Sequence, residues 1–294
     1  MSKITKLGYG VIVFDDVCHL RNMLTEVRPL CDVITVCLQN ESYYSLPIKE
    51  SIIKHVSELV DEKLVDDVIW FHPTDLYENE GKHSPRLVET DKRNFILDYL
   101  ENKKHCSHSI VVDSDEFYDH DDFERAKGII NDHDDITMSY CQYINYYRDY
   151  KHVMVWPFLC YVPFISESKY RFNFKNGSFD KPSDPTRRYF VENKGECYSI
   201  LSFETIKMHH LSWIRQNIES KIDNWSSRKY FDSAVGLRER IIDRYNNYKD
   251  GQNAVLMFNT PNFEVVVNKL PGQYINPKHP LTIINENCSD GDGC

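Results

Sequence analysis

The sequence lacks the features of an exported or membrane-spanning protein. Its longest uncharged apolar run covers residues 153–165, which is too short to cross a bilayer and is interrupted by two prolines. Residues 1–10 contain neither the apolar stretch nor the small-residue cleavage site of a secretory signal. The nine cysteines form no C-x-x-C pair, and an odd number of thiols fits a reducing compartment better than a disulfide framework. We therefore expect a cytoplasmic protein without a membrane partner.

The composition predicts a folded domain with an uneven charge distribution. Of the 294 residues, 41% are hydrophobic, which excludes wholesale disorder. Residues 1–150 contain 16 Lys and Arg against 29 Asp and Glu, whereas residues 151–294 contain 19 against 16. An acidic half that binds a cation, followed by a mildly basic half, suits a two-part active site. The alternative is that the acidic surface only keeps the protein soluble.

The first 112 residues alternate apolar strands with helical patterns, as in βαβ units with a parallel sheet. Between the strands, the periodicity predicts a polar loop over residues 72–89 and a helix from about Thr90. The four predicted strands cover residues 8–14, 32–38, 68–71 and 109–112. Ligands of open α/β sheets bind beyond the carboxyl ends of the strands, so the residues that follow these strands outline a candidate cleft.

The pattern changes after Asp135. Residues 136–144 and 153–165 are rich in aromatics and strand-like, which indicates antiparallel additions to the sheet. A loop is predicted over residues 171–188, then short strands at 198–203 and 206–208, two helices at 218–225 and 235–248, and a hairpin within 255–267. The chain beyond residue 278 has the composition of a disordered tail.

One acidic motif is a candidate metal-binding site. The apolar residues 109–112 lead directly into Asp113, Ser114 and Asp115. Two carboxylates one residue apart at a strand end can form an oxygen-rich site for Mg²⁺ or Mn²⁺. The alternative is a turn in which Asp and Ser cap backbone N–H groups. We favour the metal site because the motif follows the fourth predicted parallel strand.

The motif and two later segments resemble a known family. Residues 109–117 with Lys92 and Arg93 on the preceding helix, and residues 208–215 followed by 221–225, are similar to family-2-like nucleotide-sugar glycosyltransferases of the GT-A type. The resemblance implies an α/β, Rossmann-like mixed sheet with flanking helices. It implies a catalytic domain over residues 1–216 and a small, mostly helical extension over 217–294. It also implies a nucleotide-sugar donor, with a UDP-sugar expected, and Mn²⁺ or Mg²⁺ as cofactor.

The resemblance also implies roles for individual residues. Asp113 and Asp115 would hold the metal, and His209 or His210 would be the third protein ligand. Strand alternation places the two histidines on opposite faces, and we expect His210 to face the cleft. The alternative is one packed and one solvent-facing imidazole. The remaining donor-site candidates are Asp15, Asp16, Gln39, Asn40, Lys92, Arg93, Ser114, Arg215 and Lys221.

These donor-site residues differ in what they would do. Asp15 and Asp16 would lie near the ribose or base, although Asp16 alone would also serve as a helix cap. Gln39 and Asn40 stand where the family often has an acidic residue that binds the base. Lys92 and Arg93 are expected in the first turn of their helix, where a phosphate also meets free backbone N–H groups. The alternative for these two is a solvated helix face.

An inverting transferase needs a carboxylate that removes the proton from the acceptor hydroxyl. Glu167, Asp180 and Asp184, in or near the basic loop, are the candidates for this base, and the sequence does not choose among them. A retaining enzyme could act without it.

The sequence does not identify the acceptor. Residues 169–244 interleave aromatics with 15 Lys and Arg, which permits DNA, and the Asn-, Lys-, Tyr- and Ile-rich composition is similar to that of large tailed phage proteins. A hydroxymethylated pyrimidine in phage DNA is therefore one acceptor, and the location would then be the host cytoplasm. A glycan or a small molecule is the alternative, and a non-catalytic acidic binding module is the rival function.

Overall fold

The protein is described from a computed structural model. The described residues are 3–42, 46–73, 85–155, 159–175, 181, 183–190, 198–215, 217–224, 236–250, 252, 254 and 264–267. The candidate base Asp180, most of the predicted hairpin and the predicted tail lie outside these residues.

The amino-terminal half forms the predicted parallel sheet. Its strands are β1 (Leu7–Val13), β2 (Val33–Gln39), β3 (Asp67–Phe71) and β4 (His108–Asp113), and its helices are α1 (Leu20–Val27), α2 (Glu50–Asp61) and α3 (Pro85–Asn102). The strands lie in the order β3-β2-β1-β4 and all pair in parallel. The four strands confirm the predicted βαβ pattern. Their carboxyl ends therefore meet at one edge of the sheet.

The second half of the chain continues the same sheet with mixed pairing. Its elements are β5 (Glu116–Phe117), α4 (His120–Asp132), β6 (Met138–Tyr147), β7 (Asp149–Val155), β8 (Tyr161–Glu167), β9 (Tyr198–Ile200), β10 (Lys207–Trp213), α5 (Ile218–Asn224), α6 (Leu237–Asn246) and β11 (Glu264–Val267). Strand β8 pairs antiparallel with β4 and β6, and β10 pairs in parallel with β6. The result is an α/β fold with a mixed sheet, compatible with a Rossmann-like arrangement.

Strand β10 brings the two halves together at the edge where β4 ends. The short strand β5 pairs antiparallel with β10, so that Glu116 lies opposite His210. The backbone N–H of Leu211 also donates to the carbonyl oxygen of Asp115 at 2.8 Å. The acidic motif is therefore fixed against the strand that carries the histidine pair.

Helix α3 begins earlier than the sequence analysis predicts. It starts at Pro85 rather than near Thr90, because a proline is well suited to the first position of a helix. Lys92 and Arg93 consequently lie in the third turn. The prediction that they offer a phosphate the free N–H groups of a first turn is wrong.

Helices α5 and α6 pack against the sheet through an apolar cluster of their own. Ile218 and Ile222 of α5 and Ile241 of α6 are buried there with Tyr147 and Trp213 of the sheet. The predicted extension therefore covers the end of strands β6 and β10, next to the acidic motif.

Candidate functional site

A cleft of about 280 Å³ opens at the carboxyl ends of β1, β2 and β4, beside the end of β10. Its position follows from the strand order, since the ends of adjacent parallel strands meet at one edge. Residues singled out from the sequence line it: Asp15, Gln39, Lys92, Asp113, Ser114, Asp115, Asp184, His210, Arg215 and Lys221. The fold thus collects these side chains from seven different segments of the chain.

The other candidate residues lie elsewhere. Asp16, Asn40 and Arg93 are close neighbours of the lining residues. His209 points to the opposite face of β10, where its Nδ1 lies 2.7 Å from the hydroxyl of Tyr146 in the core. It is therefore the packed member of the histidine pair.

Glu167 is far from the cleft, which corrects its proposed role as a base. Strand β8 runs antiparallel to β4, so Glu167 pairs with His108 at the amino end of β4. Asp113 lies five residues further along β4, about 16 Å away at the usual strand rise. Glu167 instead pairs with Lys169 at 2.6 Å.

Asp113 is held by two buried arginines. Its Oδ2 accepts from Nη2 of Arg93 at 3.0 Å and from Nη2 of Arg187 at 2.5 Å. Burial raises the pKa of Asp113, but Arg93 and Arg187 outweigh burial and hold that pKa well below its usual range. Asp113 is therefore ionised and already engaged by guanidinium groups.

Arg187 was missed by the sequence analysis, because residues 171–188 read only as a loop. It ends a short 3₁₀ turn, Pro185–Arg187, whose preceding residue Asp184 accepts a hydrogen bond from the N–H of Thr186 at 2.8 Å. An Asp followed by a proline is a turn-start signal that could have located this segment. The Arg187 guanidinium also binds Glu116, with Nη1 2.8 Å from Oε2.

Arg215 joins the first and fourth strands of the sheet. It lies 3.2 Å from Asp15, 3.2 Å from Asp16 and 2.9 Å from Asp115. Burial raises the pKa of Asp115, but His210, Lys221 and Arg215 outweigh it, so the pKa lies well below its usual range. In this structure Arg215 therefore bridges three carboxylates, and its positive charge is largely compensated by them.

His210 faces Asp115 across the cleft. Its Nε2 lies 3.7 Å from Oδ1 of Asp115, and its Nδ1 lies 2.6 Å from Oδ1 of Asn145. Burial lowers the pKa of His210 to about 4, so the imidazole is neutral at pH 7. Oδ1 of Asp115 and Nε2 of His210 are thus close enough to each other to bind one ligand atom or ion between them.

Two lysines line the cleft: Lys92 is buried, and Lys221 is partly buried. Lys92 donates from Nζ to Oε1 of Gln39 at 2.8 Å, and Lys221 donates to the hydroxyl of Ser212. Burial lowers the pKa of both amines. Because Gln39 is also bonded to the carbonyl of Glu41, its amide is fixed in place at the end of β2.

The donor set fits a hard divalent cation if a ligand supplies further oxygens. Within the described residues, no group of three or more His, Cys, Asp and Glu side chains is arranged to hold a metal. However, Mg²⁺ is usually bound by one or two carboxylates together with water and substrate phosphates. Asp115 and His210 meet this need, whereas the Oδ2 atom of Asp113 is already paired with Arg93 and Arg187.

The charges that line the cleft are balanced. The cations are Arg86, Lys92, Arg187, Arg215 and Lys221, and the anions are Asp15, Glu89, Asp113, Asp115 and Asp184. A bare diphosphate would disturb this balance, whereas a diphosphate bound with a divalent cation would preserve it.

Two comparisons with known proteins find no match. No model of a known protein family matches the chain, and no curated protein is significantly similar to it. In the part of the chain that the structure describes, no helix has the length and apolar character needed to cross a membrane. We therefore infer the function from the geometry of the cleft.

Proposed function

We propose that the chain is a metal-dependent glycosyltransferase with a GT-A fold, which moves a sugar from a nucleotide donor to a hydroxyl acceptor. A UDP-sugar is the proposed donor, and Mn²⁺ or Mg²⁺ is the proposed cofactor. The observation that carries the proposal is the convergence of Asp115 and His210 at the carboxyl end of β4, 3.7 Å apart. The parallel order β3-β2-β1-β4 with a cleft at its carboxyl edge supports a nucleotide ligand there.

Asp115 and His210 would hold the cation. When bound, a divalent cation neutralises the charge that develops on the leaving diphosphate. The chain's own cations would act beside it: Lys221 and Arg215 lie next to Asp115 and would bind phosphate oxygens. The Arg93 and Arg187 pair would hold Asp113 in place, so that the end of β4 keeps its shape while ligands exchange.

The other end of the cleft would hold the nucleoside. Gln39 and Lys92 lie there, and the buried Lys92 amine presents a hydrogen-bond donor beside a fixed amide. Donors of this kind suit the carbonyl groups of a pyrimidine base.

Asp184 is the proposed base for an inverting reaction. Of the three candidate bases, it lines the cleft, whereas Glu167 lies at the other end of β4. The Oδ1 of Asp184 is occupied by Thr186 at 2.8 and 2.9 Å, so Oδ2, which lies 3.9 Å from Nε of Arg187, would take the proton of the acceptor hydroxyl.

The acceptor would enter from a second cavity that adjoins the cleft. This cavity measures about 750 Å³ and shares Phe14, Asp15 and Asn224 with the cleft. A hydroxymethylated pyrimidine in DNA and the hydroxyl of a glycan or small molecule are both proposed occupants, and experiment must choose between them.

The donor half of the proposal is tested by hydrolysis. The protein is incubated with a panel of nucleotide sugars and Mn²⁺, and nucleotide release is measured. We expect slow release from a UDP-sugar, which is abolished by EDTA and by Asp115→Asn. The control is Asp134→Asn, at an exposed aspartate before β6, which should leave release unchanged. Absence of release from every donor would contradict the proposal.

The acceptor half is tested with the active donor. Mass spectrometry of nucleosides from hydroxymethylcytosine-containing DNA shows whether a hexose or pentose has been added, and a panel of alkyl glycosides serves as the second arm. An added sugar mass on the nucleoside would select DNA. An unchanged nucleoside with modified glycosides would select a glycan.

A further inference from the structure

Asn145 is a buried polar residue near the carboxyl end of a strand rich in aromatics. It lies on β6 with a relative exposure of 4% and pairs in register with His210 on the parallel strand β10. Asparagine is depleted in strands, and its buried amide is costly unless it is hydrogen-bonded. The neighbouring strand positions are occupied mainly by tyrosines. Its presence therefore needs a reason beyond packing.

The reason lies in its contact with His210. The Oδ1 atom of Asn145 lies 2.6 Å from Nδ1 of His210. A carbonyl oxygen only accepts hydrogen bonds, and a neutral imidazole has a single N–H. The N–H of His210 must therefore be on Nδ1, and Nε2 presents its lone pair.

The lone pair of Nε2 faces the cleft. Nε2 lies 3.7 Å from Oδ1 of Asp115, so two acceptor atoms face each other with no proton between them. The ring of Tyr143, two residues before Asn145 on the same strand, meets the His210 ring edge-on with centroids 6.0 Å apart. Asn145 thus fixes the position of the imidazole proton, and Tyr143 fixes the plane of the ring.

We propose that Asn145 is a positioning residue that holds His210 in the tautomer whose Nε2 binds the divalent cation. The inference rests on the proposed function for the identity of the ligand. The tautomer itself is a property of this chain and can be measured without metal. Outer partners of this kind orient metal-binding histidines, and their loss typically lowers metal affinity by roughly 10- to 100-fold.

The first experiment reads the tautomer directly. The ¹⁵N NMR spectrum of the metal-free protein, with the His210 signals assigned from His210→Gln, distinguishes a protonated Nδ1 from a protonated Nε2. We expect Nδ1–H in the wild type and in Asn145→Asp, because a carboxylate also only accepts. Asn145→Leu should yield a substantial Nε2–H population. A wild-type spectrum with Nε2–H would overturn the inference without the need for any variant.

The second experiment reads metal affinity. Free Mn²⁺ is followed by electron paramagnetic resonance during titration of each protein in the absence of nucleotide. We expect Asn145→Leu to weaken Mn²⁺ binding by roughly 10- to 100-fold, Asn145→Asp to retain it, and His210→Gln to weaken it at least as much as Asn145→Leu. Equal affinity of Asn145→Leu and the wild type would overturn the inference.

The two experiments separate the inference from the proposed function. A wild type with the Nδ1–H tautomer and no Mn²⁺ binding would contradict the proposed metal and, with it, the ligand role of Nε2, although the Asn145 contact would stand. If Asn145→Leu does not fold, the positioning role is still tested by the tautomer of the wild type and by the Mn²⁺ affinity of Asn145→Asp. A loss of affinity in Asn145→Asp as large as that in His210→Gln would overturn the positioning role.

Discussion

Arg215 contacts three carboxylates, Asp15, Asp16 and Asp115, at distances of 2.9 to 3.2 Å, and its side chain is only 8% exposed. Burial raises the pKa of Asp16, but Arg215 outweighs this and keeps the pKa below its usual value. At the scale of single residues, this arginine therefore makes it possible to gather several carboxylates in one cleft.

Replacing Arg215 should be costly for this reason. In Arg215→Met, three carboxylates lose their common partner, and those of Asp16 and Asp115 are buried. Breaking a buried ion pair from one side typically costs about 3–5 kcal/mol. Urea denaturation measures the change in the free energy of unfolding. The matched control is Arg21→Met: Arg21 pairs with Glu58 and Glu62 at the surface with 37% exposure, and such pairs contribute about 0–1 kcal/mol. Equal effects of the two substitutions would contradict the role of Arg215.

His210 should make the metal-free protein sensitive to mild acid. Its pKa is about 4 in the folded protein because of burial, against about 6.5 when unfolded. The unfolded state therefore binds more protons between these values, and stability is lost as the pH falls from about 6.5 to 4. The loss amounts to up to about 3 kcal/mol.

This loss is measured by chemical denaturation in EDTA at several pH values. His210→Gln should remove that part of the slope between pH 6.5 and 4. The low pKa values of Asp113 and Asp115 act mainly below about pH 5, and the pKa of the buried Glu116, raised by burial to about 7, acts in the opposite direction. These contributions are common to the wild type and to His210→Gln, so the difference between the two curves reports His210. If the wild type and His210→Gln show parallel curves, the imidazole is not buried in its neutral form.

At the scale of elements, helix α3 lies unusually close to strand β1. A Cβ atom on Gly10 would stand 2.7 Å from Cδ1 of Ile96, and one on Gly8 would stand 2.9 Å from Cδ2 of Leu100. The two glycines thus let α3 approach the sheet. This close approach sets the positions of Lys92 and Arg93 relative to the strand ends.

The approach is tested by Gly10→Ala. We expect a loss of about 1–3 kcal/mol, because the added methyl overpacks against Ile96, and a partial recovery in the double variant Gly10→Ala, Ile96→Val. The control is Gly128→Ala in α4, where a Cβ meets no atom within 4 Å and helix propensity favours alanine by up to about 1 kcal/mol. Thermal denaturation that shows similar changes for both variants would contradict the packing argument.

The elements also show what the sequence could and could not predict. The four parallel strands were predictable because each is a short apolar run followed by a polar residue, and Asp113 and Asp115 followed from them. The start of α3 was not predictable, since the many polar residues before Thr90 give no clear helical periodicity. The Arg187 contact and the Asn145 contact with His210 were not either, because both join segments more than 60 residues apart.

At the scale of the whole molecule, the carboxy-terminal helices complete the cleft. Helix α5 carries Lys221 into the cleft, while α5 and α6 cover Tyr147, Met154 and Trp213 of the sheet. The predicted boundary at residue 216 thus separates an apolar face of the sheet from the two helices that pack on it.

Truncation at residue 216 should therefore expose that face. We expect the fragment 1–216 to bind the dye ANS and to self-associate in size-exclusion chromatography, because large exposed apolar patches promote association. The full chain under the same conditions is the control. A fragment that is monomeric and as stable as the full chain would show that residues 217–294 form an independent unit.

Calorimetric titration of UDP into the protein tests the central claim most directly. The account predicts binding with Mn²⁺ present, no binding in EDTA, and loss of binding in both Asp115→Asn and His210→Gln. Failure of UDP to bind under either condition, or binding that is independent of metal and of these two side chains, would contradict it.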